Sequence, residues 1–231
     1  MTSPTSSSRN ELAARIAANL ADVNETLARY GRSPSEVTVV AVTKTHPLDT
    51  VLAAYDVGLR CFGENYSDEL VVKSSATTSL DDVNWQYLGA LQSRKIASVA
   101  AHADLIATVS RAKEIIRLGQ LLEHRPRILI QVDYTGALGR NGAPAGDVAA
   151  LVDLARRQGV DVVGLMTVAP VDRADAARAF EDLARRAAVE GLRELSMGMS
   201  GDYDVAVACG ATQIRLGQAL FGPRNPVTEV S

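Results

Sequence analysis

The feature that most constrains the fold is an alternation of short apolar segments with longer amphipathic segments along nearly the whole chain. The short segments have the composition of buried strands, and most segments between them repeat apolar residues at helical spacing. The predicted strands are Val37–Thr43, Leu59–Phe62, Trp85–Leu88, Leu105–Val109, Arg127–Asp133, Asp161–Met166, Glu194–Met197 and Gln213–Leu216. Eight strands with helical crossovers predict an α/β fold, a single (β/α)8 TIM barrel.

The segments around these strands complete the prediction. Asn10–Tyr30 has helical spacing and ends before Gly31, which predicts an extra N-terminal helix. Lys73–Val83 is interpreted as a surface loop or a frayed helix end, and the seventh connection, Asp202–Cys209, is short. An open doubly wound sheet would give the same local pattern, although no GxGxxG motif follows the first strand. The predicted crossover helices include Asp49–Val57, Ser93–Ala101, Arg111–Leu122, Gly146–Gln158 and Asp172–Glu190.

Composition narrows the class of protein. The chain has 231 residues, 47% of them hydrophobic, which suits one large α/β domain. A net charge of −3 gives no sign of a nucleic-acid partner, and charged residues interrupt every apolar stretch, so no membrane span is expected. Residues 1–8 are polar and are predicted to be a disordered tail rather than a signal peptide, which leaves residues 9–231 as the barrel domain.

Cysteine and histidine positions argue against a metal site. Cys61 and Cys209 lie far apart with no CxxC spacing, which is typical of a protein in the reducing cytoplasm. His46, His102 and His124 lack the spacing of metal ligands. We therefore expect a cytoplasmic protein without a bound metal. No dimer-forming stripe is evident, and we expect a monomer.

Lys44 is the most informative residue for chemistry. In a barrel the functional residues lie at the carboxyl ends of the strands, and Lys44 ends the first predicted strand. The chain has four lysines and twenty arginines. Lysine can lose its proton and form a Schiff base with a carbonyl, whereas arginine cannot. The alternative is a strand-end lysine whose ammonium group lies in water.

The last two predicted strands are followed by loops that suit an anion. Gly198 and Gly201 relieve steric limits on the backbone, and Ser200 can cap the short helix that follows. Barrels often bind phosphate with the loops after strands seven and eight, where Ser200 and Gly217 fall. An ordinary helix cap with turn glycines is the alternative interpretation.

Arg215 and Asn65 are the other polar candidates at strand ends. Strand alternation places Arg215 on the inner face near the barrel mouth, where its charge requires an acceptor. That acceptor is either a protein carboxylate or a ligand atom such as a pyridine nitrogen. Asn65 follows the second strand and either contacts a ligand or caps the next helix, and capping is the more common role.

Six motifs in order resemble those of the YggS/PROSC family of pyridoxal-phosphate-binding proteins, also called pyridoxal phosphate homeostasis proteins. The resemblance runs from about the N-terminal helix to Arg224. It implies a barrel like the N-terminal domain of alanine racemase. The motifs are Val40-Ala41-Val42-Thr43-Lys44-Thr45, Phe62-Gly63-Glu64-Asn65-Tyr66, Leu88-Gly89-Ala90-Leu91-Gln92, Gly164-Leu165-Met166-Thr167, Leu195-Ser196-Met197-Gly198-Met199-Ser200 and Arg215-Leu216-Gly217-Gln218-Ala219-Leu220-Phe221-Gly222.

The resemblance also implies a role for each site residue. Lys44 would carry pyridoxal 5'-phosphate (PLP) as an internal aldimine, and Arg215 would lie against the pyridine nitrogen, which weakens the ring as an electron sink. Ser200 and the backbone around Gly217 and Gln218 would hold the phosphate, with Asn65 beside the ring. The predicted cofactor-binding residues are Lys44, Asn65, Met199, Ser200, Arg215, Gly217 and Gln218.

The chain departs from the family pattern at five positions. Thr43 replaces a frequent serine, His46 a frequent lysine, and Gln86 a histidine. Arg94 stands where asparagine is usual, and Arg140 replaces a lysine. None of these positions is the lysine that would carry the aldimine. The departures bear on whatever role these positions have in the entry and release of the cofactor.

The resemblance implies a non-catalytic carrier that holds PLP for intracellular homeostasis and contacts apo PLP enzymes transiently. A PLP-dependent enzyme of the amino-acid racemase type is the alternative. It would need an acid or base across the ring from Lys44, and only seven residues follow Arg224, so a second racemase domain is not expected. A third hypothesis is a cofactor-free aldolase in which Lys44 attacks a sugar phosphate.

Overall fold

The computed structural model describes residues 6–121, 125–137 and 139–223, and in this part of the chain all strands run parallel in one sheet. The strands are β1 (Thr38–Val42), β2 (Cys61–Glu64), β3 (Asn84–Tyr87), β4 (Leu105–Val109), β5 (Arg127–Asp133), β6 (Ala143–Pro144), β7 (Val162–Thr167), β8 (Glu194–Ser196) and β9 (Gln213–Leu216).

The sheet closes into a barrel of eight strands. Seven of them pair in the order β2, β3, β4, β5, β7, β8 and β9, and β1 pairs with both β2 and β9. Val40 shows the closure, because its Cα is in register with Cys61 on one side and Arg215 on the other. The (β/α)8 barrel is therefore confirmed, and the open sheet is wrong. The two-residue strand β6 was not predicted. It pairs with the last two residues of β5, Val132 and Asp133, past the point where the pairing of β5 with β4 ends.

Helices surround the barrel. Among the described residues, none of them combines the length and apolar content that a membrane span requires. The first helix begins at Ser6, so Ser6–Ser8 of the predicted tail are helical, and residues 1–5 lie outside the described residues. The helices are α1 (Ser6–Arg29), α2 (Leu48–Asp56), α3 (Ser67–Ala76), α4 (Ile96–His102), α5 (Ala112–Gly119), α6 (Val148–Arg157), α7 (Arg173–Val189), α8 (Tyr203–Ala208) and α9 (Gln218–Phe221).

Two sequence predictions need correction. The second strand begins at Cys61 rather than Leu59, because the Leu59 N–H bonds to the Ala54 carbonyl at 3.1 Å and completes the end of α2. Lys73–Val83 was interpreted as a surface loop or a frayed helix end. Lys73–Ala76 form the end of α3, and the Lys73 side chain is buried rather than exposed. Its ammonium group is buried because it pairs with carboxylates that the local sequence pattern does not indicate.

Strand alternation divides the apolar side chains into two layers. Ile128, Ile130 and Val132 of β5 pack outward in the large core between sheet and helices. Leu129 of the same strand points into the barrel, where the buried apolar cluster is small. Polar side chains such as Gln86 and Arg215 are buried as well, on strands whose neighbouring residues pack outward. The barrel interior therefore holds polar groups that need partners.

Candidate functional site

A cavity of about 390 Å³ lies at the carboxyl ends of the barrel strands. All seven predicted cofactor-binding residues line it, because the carboxyl ends of parallel strands meet at one end of a barrel. Their roles toward a cofactor stay predictions. The lining residues are Val42, Lys44, His46, Asn65, Leu88, Met166, Val168, Met199, Ser200, Gly201, Arg215, Gly217, Gln218 and Gly222.

Lys44 follows β1 by two residues and is half-buried at the cavity wall. The preceding residue, Thr43, is fully buried and donates from Oγ1 to Glu64 Oε1 at 2.7 Å. The following residue, Thr45, has a φ of 65°, a left-handed conformation that is unfavourable for a β-branched side chain. The backbone around Lys44 is thus fixed on one side and strained on the other.

Arg215 is a buried cation whose hydrogen-bond acceptors are uncharged. Its side chain is 5% exposed, and its two terminal nitrogens donate to Ser196 Oγ at 2.9 Å and to the Thr167 carbonyl at 2.7 Å. Burial lowers the pKa of Arg215 to about 10, and the charge of Asp202 acts in the opposite direction. The guanidinium is therefore still protonated at neutral pH. The prediction of an inner-face arginine is confirmed, and the acceptors observed are a hydroxyl and a backbone carbonyl rather than a carboxylate.

Ser200 joins the two loops that were predicted to bind an anion. It does not cap α8, whose N-cap is Asp202. Asp202 Oδ1 accepts from the Met199 N–H at 2.6 Å, in the loop that precedes this helix. Instead Ser200 Oγ accepts from the Ala219 N–H at 3.1 Å, at the start of α9. The prediction that Ser200 caps the helix that follows it was wrong, because Ser200 bonds to α9 and not to α8. This contact holds the loop after β8 against the loop after β9.

Gly198 is required in the loop after β8. Its φ is +90°, and a Cβ there would lie 2.6 Å from Ala206 Cβ and 2.9 Å from Tyr203 Cα. The close approach lets the Gly198 carbonyl accept from the Arg215 backbone N–H at 3.0 Å. A Cβ at Gly201 would meet no atom within 4 Å, so the steric argument applied to Gly201 was wrong.

Asn65 lines the cavity and does not cap α3. The N-cap of that helix is Tyr66, which makes no side-chain capping hydrogen bond. The loop passes close to Gly89, where a Cβ would lie 2.0 Å from the Asn65 carbonyl oxygen. Of the two roles considered for Asn65, its position is compatible with ligand contact.

Sequence reasoning did not assign the apolar wall of the cavity or His46 to the site. Leu88, Met166 and Val168 line the cavity, and all three lie at or just beyond the ends of their strands. That strand-end position was the available signal. The His46 ring packs against Phe221, with centroids 5.1 Å apart. Among the described lining residues the titratable groups are Lys44, His46 and Arg215.

The other departures from the family pattern lie away from this cavity. Gln86 is buried at the opposite end of the barrel, where Nε2 donates to Gln213 Oε1 at 3.2 Å. Arg94 and Arg140 are exposed. No group of three potential metal ligands occurs among the residues that the structure describes, and His124 lies outside them.

The fold and the lysine at the end of β1 define a class of protein. Residues 13–225 match the model of the alanine racemase N-terminal domain family. The chain is 35% identical to the pyridoxal phosphate homeostasis protein of Escherichia coli K12, over 91% of this chain and 97% of that protein. It is 38% identical to the Deinococcus radiodurans protein of the same name, over 89% and 99%. The chain therefore belongs to the alanine racemase N-terminal domain family and, within it, to the pyridoxal phosphate homeostasis proteins.

Solved structures agree with this assignment. PipY of Synechococcus elongatus PCC7942 without PLP superposes with a TM-score of 0.81 at 35% identity, covering 90% of this chain and all of that one. The same protein with PLP bound gives a TM-score of 0.75 at 34% identity. Alanine racemase of Corynebacterium glutamicum, at 15% identity and a TM-score of 0.72, shares the fold over 95% of this chain and 64% of its own.

Proposed function

We propose that this protein holds PLP reversibly as a Schiff base on Lys44 and acts as a non-catalytic carrier in intracellular PLP homeostasis. The observation that carries the proposal is that Lys44, Arg215 and Ser200 line one cavity at the barrel mouth. Relatives at about 35% identity carry the name pyridoxal phosphate homeostasis protein, and PipY has been solved with PLP bound. Both support the same ligand here.

The chemistry of the cavity fits this ligand. Its volume of about 390 Å³ falls in the range typical of small-molecule sites, and apolar side chains form one wall. The charged groups among the described lining residues are cations, which favour an anionic ligand. Ser200, Gly217 and Gln218 would hold the phosphate, and Asn65 would lie beside the ring. Met199 and Gln218 are exposed at the rim, so a ligand can enter without unfolding of the barrel.

The covalent link requires only Lys44 and the ligand aldehyde. The neutral amine adds to the aldehyde carbon, the carbonyl oxygen leaves as water, and a carbon–nitrogen double bond replaces the carbon–oxygen double bond. Addition of water to the same carbon reverses the link and restores both groups. A carrier needs this reversibility, because the cofactor must be released to apo enzymes in transient contacts. We propose that it does so as a cytoplasmic monomer.

Arg215 bears on the electronics of the ring. PLP is a strong electron sink when its pyridine nitrogen is protonated, and both aspartate and arginine occur as partners of that nitrogen in PLP enzymes. Arg215 is protonated at neutral pH, and a guanidinium can only donate hydrogen bonds, so it would keep that nitrogen unprotonated. The side chain would thus bind the ring and weaken it as an electron sink.

An amino-acid racemase is the second candidate, favoured by the match to the alanine racemase N-terminal domain. Racemisation needs proton transfer on both faces of the ring. His46 is the one further titratable side chain besides Lys44 and Arg215 among the described lining residues, and it lies on the same loop as Lys44. That arrangement supports the carrier over the racemase.

Titration of the purified protein with PLP, followed by absorption spectroscopy and borohydride reduction, tests the proposal. We expect a Schiff-base band that borohydride removes, with the reduced adduct on the peptide that contains Lys44. Lys44→Ala should lose the band and retain the fold, since a half-buried strand-end side chain contributes little packing. Lys113→Ala, which removes an exposed lysine, is the matched control.

Besides the absence of a band in wild type, two outcomes would contradict the proposal. A full band in Lys44→Ala would place the link elsewhere. Amino-acid racemisation that is lost in both Lys44→Ala and His46→Gln would replace the carrier with the enzyme.

A further inference from the structure

A cluster of three charged residues, two of them buried, contacts the residues on either side of Lys44. We call Glu64, Glu69 and Lys73 the charged clamp. Lys73 Nζ donates to Glu64 Oε1 at 2.7 Å and to Glu69 Oε2 at 2.8 Å, and its side chain is only 6% exposed. None of the three lines the mouth cavity. The clamp therefore has no direct contact with a ligand there.

The clamp contacts the residues on both sides of Lys44. Before it, the Thr43 carbonyl accepts the third hydrogen bond of Lys73 Nζ, at 2.8 Å. After it, the Thr45 N–H donates to Glu69 Oε2 at 2.8 Å. The charged clamp therefore binds the backbone on both sides of Lys44, at the Thr43 carbonyl and at the Thr45 N–H.

The second of these contacts holds a strained residue. Thr45 has a φ of 65°, and it is the one residue other than glycine with a positive φ among the described residues. For a β-branched residue this conformation is unfavourable and persists only where the surroundings enforce it. The Glu69 carboxylate contributes to that enforcement by accepting from the Thr45 N–H. The His46 N–H, which donates to the Thr43 carbonyl at 3.0 Å, closes the same turn.

The clamp itself does not optimise stability. Glu64 is fully buried, and its Oε2 has no hydrogen-bond partner in the described structure. Burial raises the pKa of Glu64, although hydrogen bonds from Lys73 and Thr43 oppose that effect. Buried ion clusters of this kind commonly contribute less to stability than apolar residues of the same size would. A role in geometry explains the cluster better.

We propose that the charged clamp is a positioning device that fixes the backbone of Lys44 so that its amine faces the PLP aldehyde. The inference rests on the proposed function and adds three residues to it that do not touch the ligand. Glu69 is the part of the clamp that can be tested with least risk to the fold, because its side chain is 29% exposed.

The test compares PLP affinity in Glu69→Ala with a rescue variant. We expect Glu69→Ala to bind PLP about tenfold more weakly, because Thr45 relaxes out of the strained turn and moves Lys44. Glu69→Gln retains an oxygen acceptor for the Thr45 N–H and should lose less. Thr45→Gly in the Glu69→Ala background should recover at least half of the loss on a logarithmic scale, since glycine adopts a φ of 65° without steric cost.

Asp68→Ala is the matched control. It removes a carboxylate from the same turn of α3, one that binds Lys95 Nζ at 2.8 Å rather than the clamp. Equal PLP affinities in Glu69→Ala and Asp68→Ala would overturn the inference. So would a double variant that binds no better than Glu69→Ala alone.

A measurement without PLP separates this inference from the proposed function. With four lysines in the chain, NMR of lysine-labelled apo protein gives few side-chain signals, and Lys44→Ala identifies that of Lys44. We expect Glu69→Ala to shift the Lys44 signal and Asp68→Ala to leave it in place. If wild type takes up no PLP but this shift occurs, the function fails and the positioning stands. If PLP binds and neither signal nor affinity responds to Glu69→Ala, the positioning fails and the function stands.

Discussion

The two ends of the barrel hold cavities of similar volume, but the polar side chains at the two ends have different hydrogen-bond partners. The mouth cavity measures about 390 Å³, and a floor cavity at the amino ends of the strands measures about 370 Å³. Volume therefore does not distinguish a binding site from a structural cleft here. The difference lies in where the hydrogen bonds go.

At the floor, polar side chains bind one another. Glu194 accepts from Gln213 Nε2 and from Arg127 at 3.0 Å. Gln86 Nε2 donates to Gln213 Oε1 at 3.2 Å and to the Cys61 sulfur at 3.1 Å. One buried atom of this network, Gln86 Oε1, has no partner among the described residues. The floor network is thus nearly self-contained, as expected for the end of a barrel that serves stability.

At the mouth, the cationic side chains converge on the cavity without a carboxylate among the described lining residues. Arg215 is held by a hydroxyl and a carbonyl, which orient the guanidinium but do not neutralise it. A buried charge without an ion-pair partner costs stability unless a ligand interacts with it. The comparison indicates that the polar groups of the mouth lower stability and favour ligand binding. Those of the floor favour stability and leave little capacity to bind a ligand.

Replacing Arg215 with an apolar residue of similar length should show the largest separation between binding and stability. We expect Arg215→Met to weaken PLP binding about 100-fold, because it removes a charged hydrogen-bond donor. Its free energy of unfolding should stay within about 1 kcal/mol of wild type, since the desolvated charge disappears with its hydrogen bonds. PLP titration and urea unfolding measure the two quantities. A variant that binds normally but loses more than about 2 kcal/mol would make Arg215 a structural residue.

The corresponding change at the floor should have the opposite signature. Glu194→Ala leaves the Gln213 amide without its acceptor and Arg127 without its ion pair. We expect a loss of about 1–3 kcal/mol in the free energy of unfolding, most of it from the amide, because the Arg127 side chain is 43% exposed and its pair is screened by solvent. PLP affinity should change less than about twofold, because Glu194 does not line the mouth cavity. A change of about 1.4 kcal/mol in binding free energy would alter the affinity tenfold. A larger loss of affinity would show that the two ends of the barrel are coupled.

Much of this comparison could be predicted from the sequence, because strand periodicity is local. The alternation of β9 places Arg215 on the inner face, and the end of the first strand singles out Lys44. The seven predicted site residues line one cavity for the same reason: parallel strands bring their carboxyl ends together.

The remaining features depend on contacts that local pattern does not indicate. Lys73 has the sequence context of a surface lysine, and its burial depends on Glu64, nine residues away on a different element. Ser200 was predicted to cap its own helix, yet it accepts from Ala219, nineteen residues later. Both errors concern polar side chains, whose partners are set by tertiary structure rather than by periodicity.

Cys61 gives the smallest effect and tests the floor alone. Burial raises the pKa of this thiol to about 12, although its hydrogen bond with Gln86 acts in the opposite direction. A thiol in the unfolded chain titrates near 8.5. Because the folded pKa is the higher one, the stability linked to this proton is complete below about pH 8.5 and is lost as the pH rises toward 12.

We therefore expect the difference in unfolding free energy between wild type and Cys61→Ala to be constant near neutral pH. Above about pH 9 it should shrink by at most about 1.4 kcal/mol per pH unit. Denaturant unfolding of both proteins at several pH values measures it, and the subtraction removes the other alkaline groups. A difference that stays constant to pH 11 would mean that water reaches the Cys61 thiol. The floor would then be an open cleft like the mouth, and the self-contained network on which the comparison rests would be wrong.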